Sequence, residues 1–138
     1  SYDLAVTVRV EGEWLEAIGV GTPLATPGEE RLPSITADGK ELYFCALWRA
    51  GQGSFDIWES YRDDRGSWSE PVELGLRVNS RDSDYSPGIS PDGRRLFFAS
   101  KRGGSDNFDL YVSERKEGGT WQEAVPLPAP FNTPRYTE

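Results

Sequence analysis

Two arginines and four carboxylates carry the most suggestive chemistry in this chain. Arg49 and Arg102 stand 53 residues apart, Glu30 and Asp84 stand 54 apart, and Glu29 and Asp82 lie beside them. A guanidinium fork binds a carboxylate with two parallel hydrogen bonds, so such a set has two uses. It can ring a surface with charge that recognises a charged partner or peptide. Alternatively, each Arg can pair with a carboxylate of its own or the next repeat and tie the loops down, and recurrence at fixed spacing favours this use. A carboxylate pair can also hydrolyse a glycosidic bond when its members lie ~5–9.5 Å apart, and Asp82 with Asp84 or Glu30 is the pair to consider.

Asp56 and Asp109 also recur, 53 residues apart, with Asp3 another 53 before. A catalytic group is not needed three times, so these are expected to accept hydrogen bonds from turn N–H groups. Ser105, Asp106, Asn107 and Asp109 offer oxygen ligands of the kind calcium takes. Their spacing matches no EF-hand loop, and the equivalent Gln52, Gly53 and Ser54 lack a carboxylate, so no metal or cofactor is expected.

What is missing bounds the chemistry further. The sequence has no histidine, which removes imidazole acid–base steps, His-based triads and the common zinc sites. Its one cysteine, Cys45, lies in the apolar run from Leu42 to Leu47 and is expected to be a small buried hydrophobe. The net charge is −8 over 138 residues, from 15 basic and 23 acidic side chains. That balance disfavours nucleic acid and anionic membrane as partners. No apolar run approaches the length of a membrane span, and the first residues lack a basic-then-apolar leader pattern.

The elements that must position these groups repeat. Trp14, Trp68 and Trp121 recur at intervals of 54 and 53, and the pairs Asp38-Gly39 and Asp92-Gly93 at 54. Residues 32–44 (LPSITADGKELYF) align with 86–98 (SPGISPDGRRLFF), and 68–74 (WSEPVEL) with 121–127 (WQEAVPL). Each unit reads as four short strands. The first are Ser34–Ala37 and Gly88–Pro91, ended by the Asp-Gly turns. The second are Glu41–Leu47 and Arg95–Ser100, apolar enough for burial on both faces. The third are Phe55–Tyr61 and Phe108–Arg115, and the fourth are Trp68–Leu74 and Trp121–Leu127. Near the start, Leu4, Val6, Val8 and Val10 alternate with other residues, which predicts a half-buried strand.

A repeat of about 40–50 residues with four strands is the signature of a β-propeller blade. The expected class is all-β, with about 2.5 blades. Residues 1–31 form the C-terminal half of a blade, and 32–85 and 86–138 a full blade each. The recurring Trp is expected to fill the space between adjacent sheets. Since 2.5 blades close no ring, three arrangements are open: part of a longer chain, a protomer that completes a ring with copies of itself, or an open array.

The words of the repeat resemble a known family. Residues 33–44 and 86–98 are similar to the WD40-like PD40 repeat of TolB-type β-propellers. The Ser-Pro-Asp-Gly core is intact at 90–93 and altered to Thr-Ala-Asp-Gly at 36–39. Residues 102–113 (RGGSDNFDLYVS), 118–121 (GGTW) and 131–134 (FNTP) resemble blades of bacterial envelope proteins. The resemblance implies a non-catalytic platform in the periplasm or cell envelope that binds a protein or peptide. In that topology the loops from second to third strand, and from fourth strand to the next blade, share one face. They would gather Arg49, Arg102, Glu29, Glu30, Asp82 and Asp84 there. The alternative is a carbohydrate- or peptide-acting propeller enzyme that works with carboxylates.

Overall fold

The computed structural model describes residues 3–47, 55–103 and 106–132, and every regular element among them is a β-strand. A short N-terminal hairpin comes first. Its outer pieces, β1 (Ala5–Val6) and β4 (Ile18–Gly19), pair with each other, as do its inner pieces, β2 (Arg9–Val10) and β3 (Glu13–Trp14). Next is an antiparallel sheet in sequential order: β5 (Glu30–Ile35), β6 (Glu41–Ala46), β7 (Asp56–Tyr61) and β8 (Val72–Glu73). A second sheet repeats it with β9 (Asp84–Ile89), β10 (Arg95–Ser100), β11 (Asp109–Glu114) and β12 (Val125–Pro126). The chain is thus all-β, with two four-stranded antiparallel sheets preceded by the hairpin.

The first-to-second-strand turns are built twice from the same parts. In one, Gly39 N–H bonds the Thr36 carbonyl at 2.9 Å, with Gly39 at φ 71°. The Thr36 hydroxyl donates to Asp38 Oδ1 at 2.7 Å, and Lys40 N–H donates to the same oxygen at 3.0 Å. Ser90, Asp92, Gly93 and Arg94 reproduce the pattern, with Gly93 at φ 73°. Each aspartate thus closes its turn by taking two donors, and glycine supplies the left-handed residue that follows.

Burial follows from how the layers stack. In β6 the five residues from Leu42 to Ala46 are all buried, because both of its faces are covered. Tyr43 packs with Ile57 and Val78 against Ile89, Leu96, Phe98 and Trp121 of the second sheet. On the opposite face, Leu42, Phe44 and Trp58 pack against Leu4 and Leu24 of the N-terminal region. Backbone hydrogen bonds lock the two sheets together: Ala37 N to Pro91 O, Asp84 N to Phe55 O, and Ala124 N to Arg77 O, at 2.8–3.1 Å. Cys45 is fully buried, and desolvation pushes its thiol up to about 11, so it behaves as packing rather than as a nucleophile.

Several elements differ from the sequence expectation. The first strands begin earlier, at Glu30 and Asp84, because each continues past a bulge. Just before Pro33 and Pro87, Leu32 and Ser86 both adopt φ 53°. The fourth strands shrink to two residues. Pro71 and Pro126 cannot donate a ladder hydrogen bond, and Trp68 makes only an isolated bridge to Arg62. The N-terminal alternation does not give a half-buried strand: Leu4 is buried, but Val6, Val8 and Val10 are exposed, since no sheet covers that stretch.

Candidate functional site

The ends of β6 and β10, the starts of β7 and β11 and the approaches to β5 and β9 lie at one end of the two sheets. Asp84 opens β9 and is fully buried. Its Oδ2 accepts from Ser80 N–H at 2.5 Å and from the Ser80 hydroxyl at 2.9 Å. Its Oδ1 receives Arg102 Nη2 at 2.9 Å. Arg102 is equally committed, with Nη2 on the Val78 carbonyl and Nε on Ser100 Oγ at 2.8 Å. Its guanidinium lies 4.4 Å from the centre of the Tyr111 ring. This Arg–carboxylate pair therefore ties Arg102 to its own sheet and to the approach to β9.

The equivalent carboxylate in the first sheet, Glu30, is also buried and receives the Thr26 hydroxyl. Glu29 pairs with Arg31 at 2.6 Å at a half-exposed position. Asp82 stays exposed on the turn that Ser80 organises. Arg49 and Ser105 lie outside the described residues. Asp56 is buried and Asp109 half-buried, each as the first residue of a third strand. Among the described residues, no group of three or more Asp, Glu or Cys side chains is arranged to hold a metal ion.

What the sequence reasoning missed is an aromatic stripe across the same end. Phe55 meets Tyr85 edge-on at 5.1 Å between ring centres, and Tyr85 meets Phe108 at 6.2 Å. Cations flank both ends. Arg31 lies 5.6 Å over Phe55 and reaches the Tyr85 hydroxyl at 3.4 Å, and Lys101 Nζ lies 5.0 Å over Phe108. Phe55 and Tyr85 are half-buried, whereas Phe108 is exposed. Phe55 and Phe108 recur 53 residues apart just before the third strands. That recurrence could have located them, but Tyr85 stands in register with Arg31, so the bridge between the two blades has no repeat signature.

A concave region lies along the outer seam between the sheets, a groove of about 380 Å³ lined in part by Glu59, Tyr61, Glu73, Arg115, Thr120 and Trp121. Three polar atoms are buried beside it: the Tyr43 hydroxyl, Glu59 Oε2 and Trp121 Nε1. Burial holds the Glu59 carboxyl above the ordinary range. These three atoms are closed off from the surface, so the groove presents chiefly the polar groups around them.

The three tryptophans part company. Trp121 is buried between the sheets, where it meets Tyr43 edge-on at 6.0 Å, and Trp68 is half-buried against the first sheet. Trp14 is 66% exposed, so the expected filling of an inter-sheet space does not occur there; no described sheet stands on its side. No family model matches the chain, and no curated protein matches it.

Proposed function

We propose that this chain is a non-catalytic β-propeller binding module of the TolB type, acting in the bacterial cell envelope and recognising a protein or peptide on its loop face. The observation that carries this reading is the Phe55–Tyr85–Phe108 stripe with Arg31 and Lys101 at its ends. Aromatic and cationic groups on a rigid platform are the usual energetic centre of a recognition surface. The platform is rigid because the Asp84–Arg102 and Glu30–Thr26 pairs hold the strands beneath it. Asp84, Arg102 and Glu30 thus support the surface, and the aromatic rings meet the ligand.

The test uses the purified chain as bait for a random peptide library, followed by affinity measurements on the enriched peptides. Phe108→Ala is expected to weaken them at least tenfold, a change of about 1.4 kcal/mol. Lys101→Glu is expected to alter their salt dependence. Peptides that bind both variants as well as they bind the parent would refute this assignment of the surface.

A further inference from the structure

Four of the described cationic side chains are not exposed: Arg31, Lys101, Arg102 and Arg115. Three of them pair with a carboxylate, Arg31 with Glu29, Arg102 with Asp84 and Arg115 with Glu41. Lys101 forms no ion pair among the described residues. Its ammonium lies over Phe108, the exposed end of the aromatic stripe, 5.0 Å from the ring centre. Taking a cation part of the way out of water without a counter-charge costs free energy. The face of a phenyl ring offsets only part of that cost.

The repeat shows that this charge is not needed to build the strand. Lys101 N–H donates to the Ser83 carbonyl at 3.0 Å, and Leu47 N–H donates to the Glu29 carbonyl at 3.3 Å. The two pairs hold equivalent places, 54 residues apart. Leu47 with Glu29 in the first sheet thus becomes Lys101 with Ser83 in the second. Arg31 becomes Tyr85 at the same interval. Around Phe55 and Phe108, which recur unchanged, the second sheet therefore loses a carboxylate and gains a cation and a ring. A role in holding the fold recurs in both sheets, as Asp38 and Asp92 do in their turns. These departures gather instead at the one end where the rings line up. Of the two cations on the stripe, Arg31 is neutralised by Glu29, which leaves the charge of Lys101.

We propose that the loop face takes an extended peptide segment with a carboxylate two residues from an apolar side chain. The carboxylate meets Lys101, and the apolar side chain lies against Phe108 and Tyr85. This rests on the loop-face reading above and adds the chemistry of the ligand. Alternate side chains on one face of an extended chain stand about 6.6 Å apart. The ring centres of Tyr85 and Phe108 are 6.2 Å apart, and those of Phe55 and Tyr85 5.1 Å. A second apolar side chain, two residues further on, therefore falls at Phe55. A charge-assisted hydrogen bond to the peptide carboxylate supplies the counter-charge that Lys101 lacks. The net charge of −8 on the whole chain opposes an acidic peptide only at a distance that salt screens, whereas this contact is direct.

The experiment is fluorescence anisotropy with the whole chain and two labelled synthetic peptides, Ser-Glu-Ser-Phe-Ser-Leu-Ser and its counterpart with Lys in place of Glu. The Glu peptide is expected to bind about tenfold more tightly than the Lys peptide. Lys101→Leu, which installs the residue of the first sheet, should bring the two affinities together. Lys101→Glu should reverse their order. Ser83→Glu, which restores the carboxylate of the first sheet beside Lys101, should also remove the preference, and it serves as the test if a Lys101 variant fails to fold. Equal binding of the two peptides by the parent, still weakened by Phe108→Ala, overturns the inference and leaves the loop-face reading standing. Binding that ignores Phe108→Ala overturns both. A preference for the Lys peptide, or a Glu preference that survives Lys101→Leu, overturns the inference, as does the absence of binding by either peptide; the loop-face reading is then decided by the library selection.

Discussion

Arg115 Nη2 lies 2.8 Å from both carboxylate oxygens of Glu41, across the seam between the two sheets. The pair is well enclosed, with side-chain exposures of 5% for Arg115 and 20% for Glu41. Arg115 Nε also donates to the Gly93 carbonyl at 2.8 Å, so one side chain joins both turns to the seam. Removing one member leaves the other poorly solvated. Glu41→Gln is expected to cost about 2 kcal/mol in urea unfolding. A double-mutant cycle with Arg115→Met should give a coupling of at least about 1 kcal/mol.

Gly39 and Gly93 make a controlled comparison. Both are left-handed, but an added Cβ at Gly39 meets nothing within 4 Å, whereas at Gly93 it would lie 2.7 Å from Glu41 Oε2. Gly39→Ala should therefore cost only the backbone strain, about 1 kcal/mol. Gly93→Ala should cost clearly more, because it also displaces the carboxylate that holds Arg115. Equal unfolding midpoints for the two variants would show that the seam yields freely at this point.

The three tryptophans should rank by burial rather than by repeat position. Trp121→Ala opens a cavity beside Tyr43 and should cost about 3–5 kcal/mol. Trp14→Ala should cost no more than about 0.5 kcal/mol in dilute protein, as expected of an exposed position. Trp68→Ala should fall between them. Thermal or urea unfolding at low concentration reads the order directly.

The pH dependence has two opposing parts. Burial raises the Glu59 carboxyl, so its favourable contribution is complete below the ordinary glutamate value and is lost as pH rises through the raised one. Glu59→Gln should accordingly be more stable than the parent at neutral pH, with the advantage vanishing in acid. Asp38 and Asp92 are lowered, first by the hydroxyls of Thr36 and Ser90 and then by backbone N–H groups. Their contribution is present above the ordinary aspartate value and is lost as pH falls through the lowered one. Asp38→Asn should be less stable than the parent at neutral pH and should converge with it in acid, as measured by urea midpoints across the pH range.

The four-strand repeat, the Asp-Gly turns and the buried Cys45 were legible in the sequence because each depends on local chemistry that recurs at fixed spacing. The exposure of Val6, Val8, Val10 and Trp14 was not, because alternation reports which residues share a face and says nothing of whether another layer covers it. The short fourth strands escaped for a related reason. Trp68 and Trp121 mark packing positions, and the sequence pattern does not separate a packed segment from a hydrogen-bonded one. At the loop face the charged residues stood out by register, yet Asp84 and Arg102 spend themselves on one another. The aromatic stripe there depends on Tyr85, whose repeat partner is an arginine.

The left-handed residues Leu32 and Ser86, each followed by a proline, bear on how the protein stays well behaved. They interrupt β5 and β9, which are edge strands of their sheets. A kinked rim lacking a donor is a poor template for a foreign strand. Fibrillar cross-β growth along these rims is thereby discouraged, and the apolar chemistry that remains available lies on the broad sides of the sheets.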